Sequence, residues 1–216
     1  MHPDRRTPTE HVPEVALPQD GEVWYVSYGS NMYGDRLACY LEGGVPPGGS
    51  KLNPGARDPR PPRRVISVDL PGTVYFAGES PQWGGGVAFY DHETPGPSAG
   101  VGYLVTAEQF ADIAAQEMHR VPQHGDPLEA VVTGGLAEHL GGRHEVGPGR
   151  YETLVEIGRH DGAPLLTFTA PHGSEHVEHT LPSDAYVAVL AAGLRETRRW
   201  REQQVTSYLQ GLTRAG

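Results

Sequence analysis

Over the first half of the chain, apolar residues fall in short runs separated by clusters of Gly, Pro and Asp rather than in long helical stripes. The run Val23-Trp24-Tyr25-Val26-Ser27-Tyr28 is rich in β-branched and aromatic residues and stops at the turn formers Gly29-Ser30-Asn31, so it reads as a buried strand ending in a tight loop. Residues 65–70, 73–76, 86–90 and 100–105 follow in the pattern of adjacent antiparallel strands, and 151–157 and 165–169 continue it. Helical spacing marks 106–118, more weakly 128–140, and 183–212 with a break expected at Gly193; a shorter helix is expected over 33–41. Strands outnumber helices and do not alternate regularly with them, which favours an α+β fold over a doubly wound sheet. The Pro- and Gly-rich stretch 43–62 reads as a long, mobile surface excursion. Residues 1–20 offer no periodic apolar face and read as a disordered lead to a single domain over 21–216.

Composition narrows the function classes. The 17 Lys and Arg against 27 Asp and Glu give a net charge of −10, which argues against nucleic acid or an anionic membrane surface as partner. The four arginines Arg195, Arg198, Arg199 and Arg201 beside Trp200 read as a local solvent-facing stripe. Cys39 is the single cysteine, so no intramolecular disulfide or cysteine-rich metal site can form within the chain, and a reducing compartment is the simplest reading. With no apolar signal-type segment and nowhere 18 apolar residues together, the expected location is cytoplasmic. Cys39, in the 33–41 helix near Leu37 and Ala38, reads as a buried, inert thiol.

Thr106-Ala107-Glu108-Gln109 fits a capping box and starts a helix. Counting from there, Phe110, Ile113, Ala114 and Glu117 fall on one helical face, and the first three are apolar. That stripe places the Glu117 carboxylate in or beside the core, where burial raises a carboxyl pKa toward the range useful for taking and giving a proton near neutral pH. The alternative is a frayed helix end with Glu117 paired to Arg120 at the surface. Gly29 in Tyr28-Gly29-Ser30-Asn31 allows close approach of backbone to a ligand, and successive free amides there can bind an anion; an ordinary turn is the alternative.

Taken in order, these segments resemble the gamma-glutamylcyclotransferases, a group that includes the gamma-glutamylamine cyclotransferases. Tyr28-Gly29-Ser30-Asn31-Met32 after an aromatic strand is similar to that family's Tyr-Gly-Ser-Asn signature, and Trp83-Gly84-Gly85-Gly86-Val87-Ala88 to its Trp-x-Gly-Gly-(Val/Ile)-Ala element. Gly100-Val101-Gly102-Tyr103-Leu104 resembles the strand before the catalytic helix, and Gln116-Glu117 falls where the family carries its catalytic glutamate. Pro182-Ser183 with Tyr186 resembles a segment whose tyrosine lines the pocket. The resemblance runs over about 23–212, and departs in a longer 119–150 link and in Ala115 and Glu117 standing where the family has two acidic residues.

The resemblance implies a mixed β-barrel flanked by helices and a cofactor-free enzyme. Its substrate would be a small-molecule L-gamma-glutamyl amine, amide or dipeptide, its products 5-oxoproline and a free amine. Glu117 would be the catalytic acid/base, with Tyr28, Gly29, Ser30, Asn31 and Tyr186 binding the substrate. A second reading is a binding module on the same scaffold that holds a gamma-glutamyl or similar carboxylate ligand without turnover. A third makes Ser30 the nucleophile of an amidase or esterase, although no His sits at a spacing that ties it to Ser30. His172, His176 and His179 have spacings a metal could use with Glu175 or Glu178, but Pro171 and Gly173 favour a polar loop. Gly84-Gly85-Gly86 lacks the spacing of a phosphate-binding motif and reads as a hairpin or a close-packed strand.

Overall fold

In the computed structural model, which describes residues 17–134 and 142–214, the aromatic strand β1 (Glu22–Ser27) is buried along its whole length. It is buried because it is central: β3 (Val87–Thr106) pairs with it antiparallel on one side and β6 (Ala163–Thr169) parallel on the other. The six-stranded sheet runs β2-β3-β1-β6-β5-β4, with β2 (Arg64–Ala77), β4 (Arg143–Glu145) and β5 (Thr153–His160) completing it. The fold is α+β as expected. The sheet is open rather than a closed barrel, because the outer strands β2 and β4 do not pair, and β4 contributes only three residues. The predicted runs 65–70 and 73–76 merge into β2 through an irregularity at Gly72, and 86–90 and 100–105 merge into β3. Gly84-Gly85-Gly86 lies in the β2–β3 hairpin, with Gly85 bridged to Pro182.

Among the described residues five α-helices accompany the sheet: α1 (Gly34–Glu42), α2 (Ala107–Glu117), α3 (Pro127–Gly134), α4 (Asp184–Glu196) and α5 (Glu202–Arg214). The capping box at the start of α2 forms as predicted, with the Gln109 amide donating to Thr106 Oγ1 and the Thr106 amide to Gln109 Oε1, both at 3.1 Å. Phe110, Ile113 and Ala114 are fully buried and place α2 against the middle of the sheet, where Tyr25 stacks on Phe168 at 5.3 Å and meets Phe110 edge-on at 5.9 Å. No helix among the described residues is long and apolar enough to cross a membrane. The reading of 1–20 lies outside the described residues except for 17–20, as does that of the 128–140 helix beyond Gly134.

Three expectations are corrected. The 43–62 excursion is tied down: Arg57 donates from its backbone and guanidinium to the buried Asp112 of α2 and reaches Glu129 of α3, and Gln109 Nε2 donates to the carbonyls of Asp58 and Arg60. Arg198 does not face solvent, because its guanidinium donates to the carbonyls of Val68 and Gly100 and pairs with Asp69. The helical break falls at 197–201, not at Gly193, which lies inside α4 where that helix crosses the turn after β1. A Cβ at Gly193 would stand 2.6 Å from the Met32 carbonyl carbon and 2.7 Å from the Tyr33 nitrogen.

Gly to Ala within an exposed helix stabilises by up to about 1 kcal/mol. Here the sign reverses: Gly193→Ala overpacks the crossing, lowers stability by about 1–3 kcal/mol and lowers the urea midpoint. A raised midpoint would contradict this packing.

Candidate active site

The apolar stripe of α2 ends at Glu117, the last residue of the helix, which is half-buried and faces the far end of β1. There the chain makes a single 3-10 turn over Ser30–Met32, with the Met32 amide donating to the Gly29 carbonyl at 3.0 Å and the Tyr33 amide to the Ser30 carbonyl at 3.1 Å. The turn points the Asn31 side chain inward, where it is buried. Its Nδ2 donates to Glu117 Oε1 at 3.0 Å and to the Tyr25 hydroxyl at 2.9 Å, while its Oδ1 has no partner among the described residues. The Tyr40 hydroxyl of α1 accepts a hydrogen bond from Arg36 Nη2 at 2.6 Å and feels the Glu117 charge. Gln116, one position earlier, donates to the Tyr40 carbonyl at 2.9 Å and accepts from the Gly55 amide at 3.3 Å, which locks the end of α2 to α1 and to the 43–62 segment.

Tyr186 approaches from the other side. Ser183 caps α4, accepting from the Tyr186 amide at 3.2 Å and donating to the Trp83 carbonyl at 2.8 Å, so the tyrosine is aimed by both chain and cap. Its hydroxyl accepts from the Ala88 amide at 3.4 Å and lies near the Ser30 amide. A Cβ on Gly29 would stand 3.1 Å from that oxygen, so glycine serves the close approach of a side chain from α4. Burial pushes the Tyr186 hydroxyl up to about 12, with the Glu117 charge adding to the rise and the two amides opposing it. Burial likewise raises Tyr25, Tyr40 and Tyr151, each also feeling the Glu117 charge. Glu117 is thus ringed by phenols that stay protonated and remain donors.

Two connected spaces open onto this group. An inner recess of about 30 Å³ is walled by Gly29, Asn31, Tyr28 and Tyr186. An outer cavity of about 320 Å³ is walled by Ser30, Arg36, Tyr40, Trp83 and Lys51, a size in the small-molecule range. Glu117, Tyr151 and Tyr186 stand on the walls of both.

The structure therefore brings all six predicted site residues together, with changed parts for three. Tyr28 spends its hydroxyl on the Phe168 carbonyl at 2.8 Å and offers the recess only its ring. The Ser30 amide lies near the Tyr186 hydroxyl, and Asn31 acts through its side chain. Glu117 makes no ion pair with Arg120, which instead pairs with Glu152. Sequence reasoning missed Arg36, Tyr40, Tyr25 and Tyr151. A signal for the first two existed: Arg36, Leu37, Tyr40 and Leu41 form the buried face of α1, and a charge on an apolar helical face is the cue that singled out Glu117.

The remaining candidates do other work. Cys39 donates to the Asp35 carbonyl at 3.3 Å and burial raises its thiol. His172 and His179 pack on Tyr75, and among the described residues no three His, Cys, Asp or Glu side chains converge on one point. No histidine hydrogen-bonds to Ser30 among the described residues.

Asn31→Asp places a second carboxylate about 3 Å from the first, and like charges that close disfavour joint ionisation. The folded pair then holds a proton more tightly than the unfolded chain does, so the variant's stability falls as pH rises. The deficit relative to wild type, read from urea unfolding, should be about 1–2 kcal/mol larger at pH 8 than at pH 5; an equal deficit at both would place Asn31 away from Glu117.

No family model matches the sequence. Among curated proteins the chain is similar to one named histone deacetylase 5 from Arabidopsis thaliana, with 30% identity over 204 residues, and the match takes in 87% of this chain but 30% of that protein. The chain thus spans less than a third of that relative's length. Among solved structures it superposes on an uncharacterized protein from Homo sapiens with a TM-score of 0.51 at 16% identity, over 89% of this chain and 88% of that one. It superposes equally, with a TM-score of 0.51 at 14% identity over 88% of each chain, on a structure described as gamma-glutamyl cyclotransferase. The open mixed sheet with its flanking helices is therefore the gamma-glutamyl cyclotransferase-like fold.

Proposed function

We propose that the chain is a gamma-glutamyl cyclotransferase that releases 5-oxoproline and a free amine from a gamma-glutamyl amide, with Glu117 as the acid/base. The observation that carries this reading is the position of Glu117: a single carboxylate held by Asn31, on the wall shared by recess and cavity, with Tyr186 on the same walls.

The reaction needs little more. The substrate's own α-amine is the nucleophile, so folding the glutamyl chain into an attack-ready shape supplies roughly 7–11 kcal/mol when geometry is good. The α-ammonium loses a proton to Glu117, with Asn31 Oδ1 available to accept a second N–H. The amine nitrogen then attacks the γ-carbonyl carbon and closes the five-membered ring. Negative charge develops on the carbonyl oxygen, where the Tyr186 O–H can donate because the Ala88 amide uses its oxygen as acceptor. A well-aimed donor of that kind contributes on the order of 3 kcal/mol. As the intermediate collapses, the bond to the leaving nitrogen breaks and Glu117 returns the proton to it; the ring nitrogen, which still carries two hydrogens, gives its second proton to the freed Glu117 carboxylate, which passes it on so that the amine leaves as an ammonium. A high Tyr186 pKa keeps that donor protonated across the physiological range.

The test is a panel of gamma-glutamyl dipeptides and amines assayed for 5-oxoproline, with Glu117→Gln in parallel. Glu117→Gln keeps the shape and should lower kcat by about 10²–10⁴ while KM moves only a few-fold. Full activity in the variant would remove Glu117 from the mechanism. Binding of the panel by wild type with no turnover would favour a binding module on the same scaffold.

A further inference from the structure

Of the large apolar side chains among the described residues, the two most exposed are Leu52, at 75%, and Val121, at 72%. A single exposed apolar residue is ordinary on a protein surface, and its setting decides whether it carries a function. These two come from separate segments, the 43–62 stretch and the link after α2, yet both stand on the wall of the outer cavity that holds Glu117. Each is presented by a neighbour that is tied down. Beside Leu52, Asn53 exchanges backbone hydrogen bonds with Gly44 at 2.8 and 3.1 Å. Beside Val121, the Arg120 amide donates to the Ala115 carbonyl at 2.7 Å while its side chain pairs with Glu152.

Exposure grades along the cavity. Tyr186 is buried and Glu117 half-buried at its inner end, whereas Leu52 and Val121 stand where solvent enters, with Pro81 and Trp83 on the same wall. A substrate with its reacting atoms at Glu117 therefore points its departing half toward the two apolar side chains, and an apolar chain there removes them from water. Charge at the mouth excludes one kind of chain. Lys51 and Arg150 are exposed on the wall without a carboxylate partner among the described residues, and Glu117 is the only acidic residue among those described on it. A departing half that ends in an ammonium group meets like charge and finds no acceptor carboxylate beyond Glu117.

We propose that Leu52 and Val121 are specificity-determining residues that pack on an apolar chain of the leaving amine, so that long aliphatic gamma-glutamyl amides are favoured over short or ammonium-ended ones. This deepens, and rests on, the cyclotransferase reading. Discrimination comes from apolar area covered at the mouth, remote from the bond that breaks.

The test measures kcat/KM for gamma-glutamyl methylamide, propylamide, hexylamide and 5-aminopentylamide, the last two differing only in a terminal methyl against a terminal ammonium. In wild type kcat/KM should rise about two- to fourfold per added methylene, and the hexylamide should exceed the 5-aminopentylamide by about tenfold or more. Leu52→Ser and Val121→Ser should each lower the slope against chain length, and the double variant should nearly abolish it. Leu181→Ser, which removes an apolar side chain 66% exposed and not on that wall, should leave the slope as in wild type. A flat wild-type series, or a slope that survives in the double variant, overturns the proposal. Should the double variant lose its cooperative melt, the two single variants decide by the same criterion. If wild type releases 5-oxoproline from none of the compounds, the cyclotransferase reading fails separately. Calorimetric affinity along the same series then decides the assignment of Leu52 and Val121, with a rise with chain length in its favour and flat or absent binding against it.

Discussion

The hydrogen bond from Asn31 Nδ2 to Glu117 Oε1 joins a turn at the end of β1 to the last residue of α2, 86 positions further along the chain. Almost every other feature of the site exists to hold those two ends at that separation. The capping box fixes where α2 begins, its apolar stripe fixes which face meets the sheet, and the helix length then decides where Glu117 emerges. On the other side, the close crossing of α4 at Gly193 seats the turn that carries Asn31, and the Gln116 side chain stops the end of α2 from drifting off α1. A carboxylate could reach this place in many sequences. Holding it there needs a donor with no freedom to leave, and a short amide on a buried 3-10 turn meets that requirement.

Electrostatics follow from the packing. Desolvation raises the hydroxyls of Tyr25, Tyr40, Tyr151 and Tyr186, so the aromatic wall supplies donors and no competing anion. One negative charge inside and unpaired positive charges on the outer wall and rim make a graded field, although the chain as a whole is acidic. Net charge describes the chain as a whole and says nothing of this local reversal, which arises only when Arg36, Lys51 and Arg150 are brought together from three separate segments.

Much of the fold was legible because its signals are local. The buried strand 23–28, the capping box at Thr106 and the helix it starts, and the α+β class follow from spacing and turn chemistry alone. Where reading failed, long-range contacts decided. Gly193 looked like a helix breaker because propensity is local, whereas its absent side chain is needed for the crossing with Met32. The 43–62 stretch looked mobile because its anchor, Arg57 on Asp112, is a pairing across 55 positions. The barrel expected by resemblance is an open sheet because pairing of its outer strands is not encoded in any single run. At the site, the motif residues converge, but Arg36 and Tyr40 were hidden in a helix read only for its apolar spacing.

The central claim is that Glu117, fixed by Asn31, meets the nitrogen that closes the ring. A crystal structure of the Glu117→Gln variant soaked with gamma-glutamylalanine measures this directly. The account predicts the glutamyl half in the cavity against Glu117, its α-nitrogen within about 3 Å of the side chain at position 117 and the γ-carbonyl oxygen facing the Tyr186 hydroxyl. A glutamyl group bound elsewhere, or seated there with its nitrogen turned away from that side chain, would contradict it.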